Sequence, residues 1–552
     1  SLAGRPSLMT IISLLHAIKE RLPADRMMFY RELMDLTVAY WSEGRLQERD
    51  LRQVFDPENL RMAVAETTLH AYSRLQGDET LVELSESELR ATLVNICQDQ
   101  RWEAVSHLVM RILTRPGILD EQSPGLYTYP HPSLQAFVAS RRLATLPELP
   151  KRVVQLAKEN LVRWREVILF AVARLDRLDQ NRSAALAVID ALCPSSLPAA
   201  TERHISSTEW SLAWLAGEAL IGILEASAPA LPPIVPSSQK PRMPLGDAEP
   251  TVNRVRAWLS ALLDRGRLSP GERAQAGNVL DRLGDLRPGI CLPVPLFCQV
   301  KAGPFWQGED EQAHLVHVEA FWIGRYPVTN AQYARFVGAT RHPAPSHWQG
   351  DRPLIGTGNH PVVNVTWQDA MAYCQWCAER LPVTKLALWH PDQVQVLDHA
   401  PSSWAVRLPT SIEWEKAARG GVQIDLSPEQ SPQDNAVPRR IYPWGDSWHL
   451  SIEGNPGDET RCNVSESDIG TTTPAGMYPR GASPYGAMDM AGNVWEWCLD
   501  WSDPEHRYKV RRGGAFRYTH EHARCAASDK AHPGLAWPYL GFRIVLAPPR
   551  PE

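Results

Sequence analysis

Gly492-Asn493-Val494-Trp495-Glu496-Trp497, with Arg512-Gly513-Gly514-Ala515-Phe516 and Gly541-Phe542-Arg543 after it, decides how the C-terminal half of this chain folds. The same texture extends upstream. Gly303-Pro304-Phe305-Trp306 is followed by Phe321-Trp322-Ile323-Gly324-Arg325-Tyr326-Pro327-Val328-Thr329-Asn330 and His360-Pro361-Val362-Val363-Asn364-Val365-Thr366-Trp367. Arg407-Leu408-Pro409-Thr410-Ser411-Ile412-Glu413-Trp414-Glu415 and Tyr442-Pro443-Trp444-Gly445-Asp446 continue it. Fourteen of the 20 tryptophans lie at or beyond Trp306, so the composition splits near residue 290 into two architectures.

The 552 residues are enough for roughly two to four domains. With 44% hydrophobic and 22% charged residues the chain is globular. The net charge of −6 argues against a generally basic nucleic-acid binder, and no nucleic-acid partner is expected. No apolar run approaches the roughly 18 residues of a membrane span. Nine scattered cysteines, an odd number, do not make a secreted disulfide framework, so a reducing, cytoplasmic location is expected.

The N-terminal half reads as helices. Leu8, Ile11, Ile12, Leu15 and Ile18 share a face, which favours a core helix over a signal peptide. Met27, Tyr30, Leu33, Met34 and Leu36 continue the pattern to a break at Ser42-Glu43-Gly44. Leu81–Leu93 and Ala104–Thr114 read as helices. Gly117-Ile118-Leu119 with Leu126-Tyr127-Thr128-Tyr129-Pro130 reads as a hairpin, and a helix restarts at Pro132. This order suggests a winged helix.

Pro6-Ser7-Leu8-Met9-Thr10 and Tyr129-Pro130-His131-Pro132-Ser133-Leu134-Gln135-Ala136-Phe137 resemble the C-terminal half of NACHT-type STAND ATPases, although Ala136 stands where that family usually has Glu. His131 is read as a packed residue of that fold. No G-x-x-x-x-G-K-[ST] occurs, so this chain builds no phosphate cradle. Because the chain opens at Ser1 without Met, the ATPase and an effector are expected to lie before residue 1. Residues 191–290 read as a helical spacer with a Pro-rich loop from Ala228 to Pro250. Within it Ser269 is the expected N-cap of a helix, with Pro270 at its first position.

The C-terminal motifs, in their order, closely resemble the formylglycine-generating-enzyme (sulfatase-modifying factor) domain over residues 291–552. The fold expected is therefore multidomain. A mainly α half of winged-helix and helical repeats (1–190) and the spacer (191–290) precede an α+β C-type-lectin-like domain. Thr329–Phe336 and Thr366–Leu381 read as its helices, the second capped by Thr366 or Asp369, with Cys374 and Cys377 as packing residues. The family's oxidase holds Cu(I) with two cysteines spaced five apart after the R-G-G motif. The matching positions here are Tyr518 and Ala523, so the resemblance implies no copper oxidase and a non-enzyme is expected. The H-x-x-x-H-x-E pattern of the related sulfoxide synthases is also absent. His520 and His522, if on a strand, would face one side as a candidate metal pair. Asn463, Val464, Asn493 and Glu496 match calcium positions of some members, so structural Ca²⁺ is the one cofactor the resemblance suggests.

Residues 511–543 read R-R-G-G-A-F-R-Y-T-H-E-H-A-R-C-A-A-S-D-K-A-H-P-G-L-A-W-P-Y-L-G-F-R. The aperiodic middle, rich in Tyr, His, Arg and Trp, has the composition of a recognition surface. Its framework resembles the variable region of C-type-lectin-fold proteins from diversity-generating retroelements, where Asn codons mutate at adenine. Arg517, Tyr518, Thr519, His520, His522, Ala527, Ser528, Asp529, His532, Gly534, Leu535, Ala536 and Tyr539 are permitted products of such codons; Glu521, Lys530 and Trp537 are not. Arg517, Tyr518, Thr519, His520, His522, Ser528, Asp529, His532, Leu535, Trp537 and Tyr539 are the expected ligand contacts. The expected partner is a macromolecule, a protein first. The alternatives are a family member with a fixed-specificity interaction surface and a formylglycine-generating-type oxidase.

Overall fold

The computed structural model describes residues 26–44, 57–75, 81–97, 118–193, 197, 205–226, 248–292, 295–380, 385–391, 393–398, 401, 403–424, 433–448 and 461–549. The chain divides into two compact units. One comprises Ser1–Ser196, Ser211–Ala230 and Met243–Thr251, the other Leu197–Trp210, Leu231–Arg242 and Val252–Glu552. The first is helical and the second carries an α/β C-terminal domain. The expected helices at Leu8–Ile18 and Ala104–Thr114, and nearly all of the Pro-rich stretch, lie outside the described residues.

In the first unit α1 (Arg26–Gly44) and α2 (Pro57–Arg74) precede a three-stranded sheet. The helix expected from Leu81 starts only at Glu86, as α3 (Glu86–Cys97). Glu83–Ser85 (β1) instead pairs with Leu126–Thr128 (β3), and the Ser85 hydroxyl accepts from Glu88 N at 3.1 Å to cap the helix. The first hairpin arm is Asp120–Ser123 (β2), not Gly117–Leu119, and Gly125, at φ 74°, makes the turn.

Next come α4 (Pro132–Leu143), α5 (Leu149–Glu159), α6 (Leu161–Arg177) and α7 (Arg182–Leu192). Tyr30, Phe137 and Phe170 form a triangle of rings, each pair 5.7 Å apart. The motif residues around Pro132 pack or cap. The Tyr129 hydroxyl meets Thr68 Oγ1 at 2.7 Å, buried Gln135 accepts from Val82 N at 2.8 Å, and His131 Nδ1 accepts from Ser133 N at 3.1 Å as the α4 N-cap.

α8 (Ser207–Ala226) and α9 (Glu249–Asp264) lead to α10 (Pro270–Leu283). Ser269 and Glu272 close a capping box on α10, with Pro270 at its first position. In the second unit α10 is welded to the C-terminal domain. Arg273 donates to Met477 O at 2.9 Å, Asn359 to Gly277 O at 2.9 Å, and His360 Nε2 lies 2.8 Å from Asn278 Oδ1.

The domain is built on a six-stranded sheet and a four-stranded sheet. The first comprises β4 (Leu296–Val300), β7 (Phe321–Gly324), β8 (Leu386–Trp389), β9 (Val394–Leu397), β10 (Ala405–Arg407) and β17 (Val545–Ala547), in the order β10-β17-β7-β4-β8-β9. The last strand therefore returns beside β7, one strand from the first. Two ribbons, β5 (Gly303–Gln307) with β6 (His314–Val318) and β11 (Gln423–Ile424) with β12 (Gln433–Asp434), flank it.

Helices α11 (Asn330–Thr340), α12 (Trp367–Arg380) and α13 (Ser411–Arg419) are capped by Thr329, Thr366 and Thr410. α11 runs four residues past the expected Phe336. Cys374 and Cys377 pack against the main core, as their helical spacing predicts. The second sheet runs β15 (Ser528–Ala531), β14 (Lys509–Arg512), β13 (Trp495–Trp501), β16 (Leu540–Gly541).

Candidate ligand-binding surface

The motifs around the surface are scaffold. Glu496 and Arg543 are fully buried and pair at 2.6 and 2.7 Å, while Trp414 Nε1 donates to the same carboxylate at 2.7 Å. Arg512 pairs with buried Glu415 at 2.9 Å, and Arg407 grips Glu413 with two bonds of 2.8 Å. Each buried charge therefore has an opposite charge and further hydrogen bonds, the condition for keeping ions in an interior. Gly513 and Gly514, at φ 100° and 71°, turn the chain from β14 into the surface segment. A Cβ on Gly514 would stand 2.8 Å from the His522 carbonyl oxygen.

None of the eleven expected contact residues is buried. Arg517, Thr519, His522, Ser528, His532 and Leu535 are exposed, and Tyr518, His520, Asp529, Trp537 and Tyr539 are half-buried. Ala523, Cys525, Ala531, Pro533 and Leu540, interleaved with them, are buried. The aromatics form one cluster. Tyr518 lies 5.6 Å from both Tyr539 and Trp495, Trp537 lies 5.6 Å from Tyr539, and His522 lies 5.1 Å from Tyr518. Burial and the Tyr518 hydroxyl push the Tyr539 phenol up. The Arg517 guanidinium sits 5.9 Å over the Tyr539 ring, and Arg511 Nη2 meets Asp529 at 2.6 Å.

The strand expected for His520 and His522 is a 3₁₀ turn, His520–Ala523, so the two rings diverge. His522 packs on Tyr518. His520 stacks on Trp448 at 4.7 Å, and its Nδ1 lies 2.7 Å from Glu466. Burial alone would raise the Glu466 carboxyl, but the His520 ring and backbone N–H outweigh it and hold it at about 2. Among the described residues no group of three His, Cys, Asp or Glu could hold a metal ion.

The calcium positions do not fit a calcium shell. Both Glu496 oxygens are taken by Arg543 and Trp414. Asn493 exchanges its whole amide with the Thr473 backbone, and Asn463 Nδ2 donates to Thr471 O at 2.8 Å while its Oδ1 accepts from Ser467. The Val464 carbonyl accepts from the Ser467 backbone N–H at 3.0 Å. These partners neutralise or saturate the oxygens that the ion would need. Copper fits no better. Half-buried Tyr518 and buried Ala523 hold the ligand positions, and the buried Cys525 thiol is pushed up to about 12 by desolvation, away from thiolate chemistry.

Sequence reasoning missed Arg511, Trp495, Glu466 and Trp448 as parts of this surface. Arg511 stands in Lys509-Val510-Arg511-Arg512, where alternation puts Lys509 and Arg511 on one face of β14. Both bear on tryptophans: Lys509 Nζ lies 4.0 and 3.7 Å from the Trp367 and Trp501 rings, and the Arg511 guanidinium 4.9 and 4.8 Å from Trp495 and Trp537. That period-two run of cations was the available signal. Glu466, in a 3₁₀ turn (Ser465–Ser467), and Trp448 reach His520 from outside the segment and carry no local pattern.

This scaffold, with its W-E-W strand, R-G-G turn and closing G-F-R, is matched by a known family. Residues 290–548 match the model of a family described as the sulfatase-modifying factor enzyme 1-like domain. Chlamydia caviae serine/threonine-protein kinase pkn1 is 27% identical over 292 residues, 46% of this chain and 38% of that protein. The chain thus spans well under half the length of this relative. The formylglycine-generating enzyme of Streptomyces coelicolor is 29% identical over 300 residues, 42% of this chain and 79% of the enzyme. Treponema denticola variable protein 1 superposes with a TM-score of 0.32 at 22% identity, covering 46% of this chain and 95% of that structure. The proteins similar in sequence to this chain thus include ones named as a kinase and as a formylglycine-generating enzyme. No helix among the described residues is long and apolar enough to cross a membrane.

Proposed function

We propose that the sulfatase-modifying factor-like domain is a non-catalytic recognition module that binds a protein ligand through residues 517–539, and that this surface is diversified. One observation carries the reading. The thirteen positions assigned above to the varying set are all exposed or half-buried, while the residues interleaved with them at Ala523, Cys525, Ala531, Pro533 and Leu540, taken as its fixed frame, are buried. Change at the first set meets the core only where Tyr518 and Tyr539 pack on it; change at the second would cut into it. The surface has aromatic anchors in Tyr518, Trp537 and Tyr539 and adaptable polar groups around them, as recognition surfaces do. The oxidase alternative lacks the thiolate pair that its copper requires.

The helical unit supports placing the module at the sensor end of a STAND-type ATPase in the cytoplasm. Its helix, hairpin and capped α4 follow the order of the resemblance, and the packed Tyr129, His131 and Gln135 account for that motif structurally. Ligand binding would then shift the population of an arm that the ATPase reads.

The test is a protein array probed with the full chain and with Tyr518→Ala and Tyr539→Ala. A ligand held by the parent and bound at least about tenfold more weakly by both variants, a loss of ~1.4 kcal/mol or more, supports the reading. Ligands indifferent to both substitutions contradict it.

A further inference from the structure

The search leads beneath the aromatic cluster. Arg511 is 4% exposed, and among the described residues its Nε and Nη1 have no hydrogen-bond partner. Trp495, fully buried and 4.9 Å from that guanidinium, likewise has an unpartnered indole Nε1. Three donor nitrogens of neighbouring side chains are thus desolvated without an acceptor. Buried donors in native proteins are nearly always satisfied, and each one left bare costs about 1–3 kcal/mol. The Trp495 and Trp537 rings offset part of the Arg511 charge but give the N–H groups no acceptor.

We infer that this donor cluster is the anchor point for a carboxylate of the protein ligand, an inference that rests on the recognition reading above. Two facts choose the carboxylate. The remaining Arg511 nitrogen, Nη2, already holds the Asp529 carboxylate at 2.6 Å, so the guanidinium is shown with that partner. One cation beside one neutral indole suits a monoanion better than a doubly charged phosphate. The ligand group comes in past half-buried Trp537, whose ring lies against Arg511, and displaces Asp529, whose side chain is 42% exposed. Arg511 is then the fixed charge of the surface, and the varying residues around it select what surrounds the acid.

The experiment follows the Trp495 indole N–H resonance of the full chain, assigned with Trp495→Phe. Two acids are titrated at matched ionic strength: N-acetylglutamate α-amide for an acidic side chain and N-acetylglycine for a chain terminus. N-acetylglutamine amide is the uncharged control. A saturable shift is expected with an acid and not with the control, and the more potent acid identifies the source. Arg511→Gln weakens it at least about tenfold, and Asp529→Asn, at a surface position, tightens it. No saturable shift with either acid, an equal shift with the control, or indifference to both substitutions overturns the inference. The array binding that tests the recognition surface is read separately, so either can fail alone.

Discussion

His360 is buried between Asn278 Oδ1 at 2.8 Å and Thr472 Oγ1 at 3.0 Å. Burial pushes its imidazole down to about 3 from 6.5, against a smaller upward pull from Thr472. The folded ring stays neutral while the unfolded ring binds a proton below 6.5. The stability this group contributes is therefore present above 6.5 and is lost as pH falls toward 3. Asp281 and Asp489, raised by burial to about 6, act in the opposite sense, losing stability as pH rises from 3.8 through 6. The His360 contribution is thus the difference between the parent and His360→Asn. Urea midpoints from pH 4 to 8 are expected to fall less steeply toward acid in the variant, and parallel curves would refute the assignment. A second expectation concerns the buried ion pair. Arg543→Met leaves Glu496 uncompensated and costs about 3–5 kcal/mol in denaturant unfolding. At this scale the sequence showed which residues are framework, because Trp495, Glu496, Gly513, Gly514 and Arg543 sit in ordered motifs. It did not show that Glu496 spends both oxygens on Arg543 and Trp414 rather than on calcium, since those partners stand 47 and 82 residues away.

At the scale of elements, caps were legible and short strands were not. Ser269, Pro270 and Glu272 announce α10 because a capping box is local chemistry. Glu83–Ser85 becomes a strand only through pairing with Leu126–Thr128, and three residues carry no period to read. His520–Ala523 fails as a strand for a related reason. The R-G-G turn brings the His522 carbonyl against Gly514, which curls the segment. Gly514→Ala meets both that oxygen and a φ of 71°, so it is expected to cost about 1–3 kcal/mol and to shift the surface loop. Ser269→Ala, which removes only the cap, is expected to cost about 1 kcal/mol. Thermal unfolding of both variants checks the ranking, and an equal or reversed order would contradict the close approach at Gly514.

For the whole molecule, the fold of residues 290–548 was legible from motif order, whereas the welding of α10 to that domain was not. Asn278 and Arg273 look like ordinary helix-surface residues until His360 and Met477 meet them. Catalysis gives one further expectation: with Cu(I) and a cysteine peptide the full chain produces no aldehyde, and turnover above the metal alone would restore the oxidase alternative. The central claim is that the 517–539 surface varies on a fixed, buried scaffold. It is tested most directly by deep sequencing of the gene's 3′ end across sister cells of one population. The account predicts substitutions concentrated in the codons of the thirteen surface positions, only where a nearby template copy carries adenine, with the buried positions from Ala523 to Leu540 unchanged. An invariant segment without a near-copy template, or changes spread equally over buried and surface codons, would contradict it.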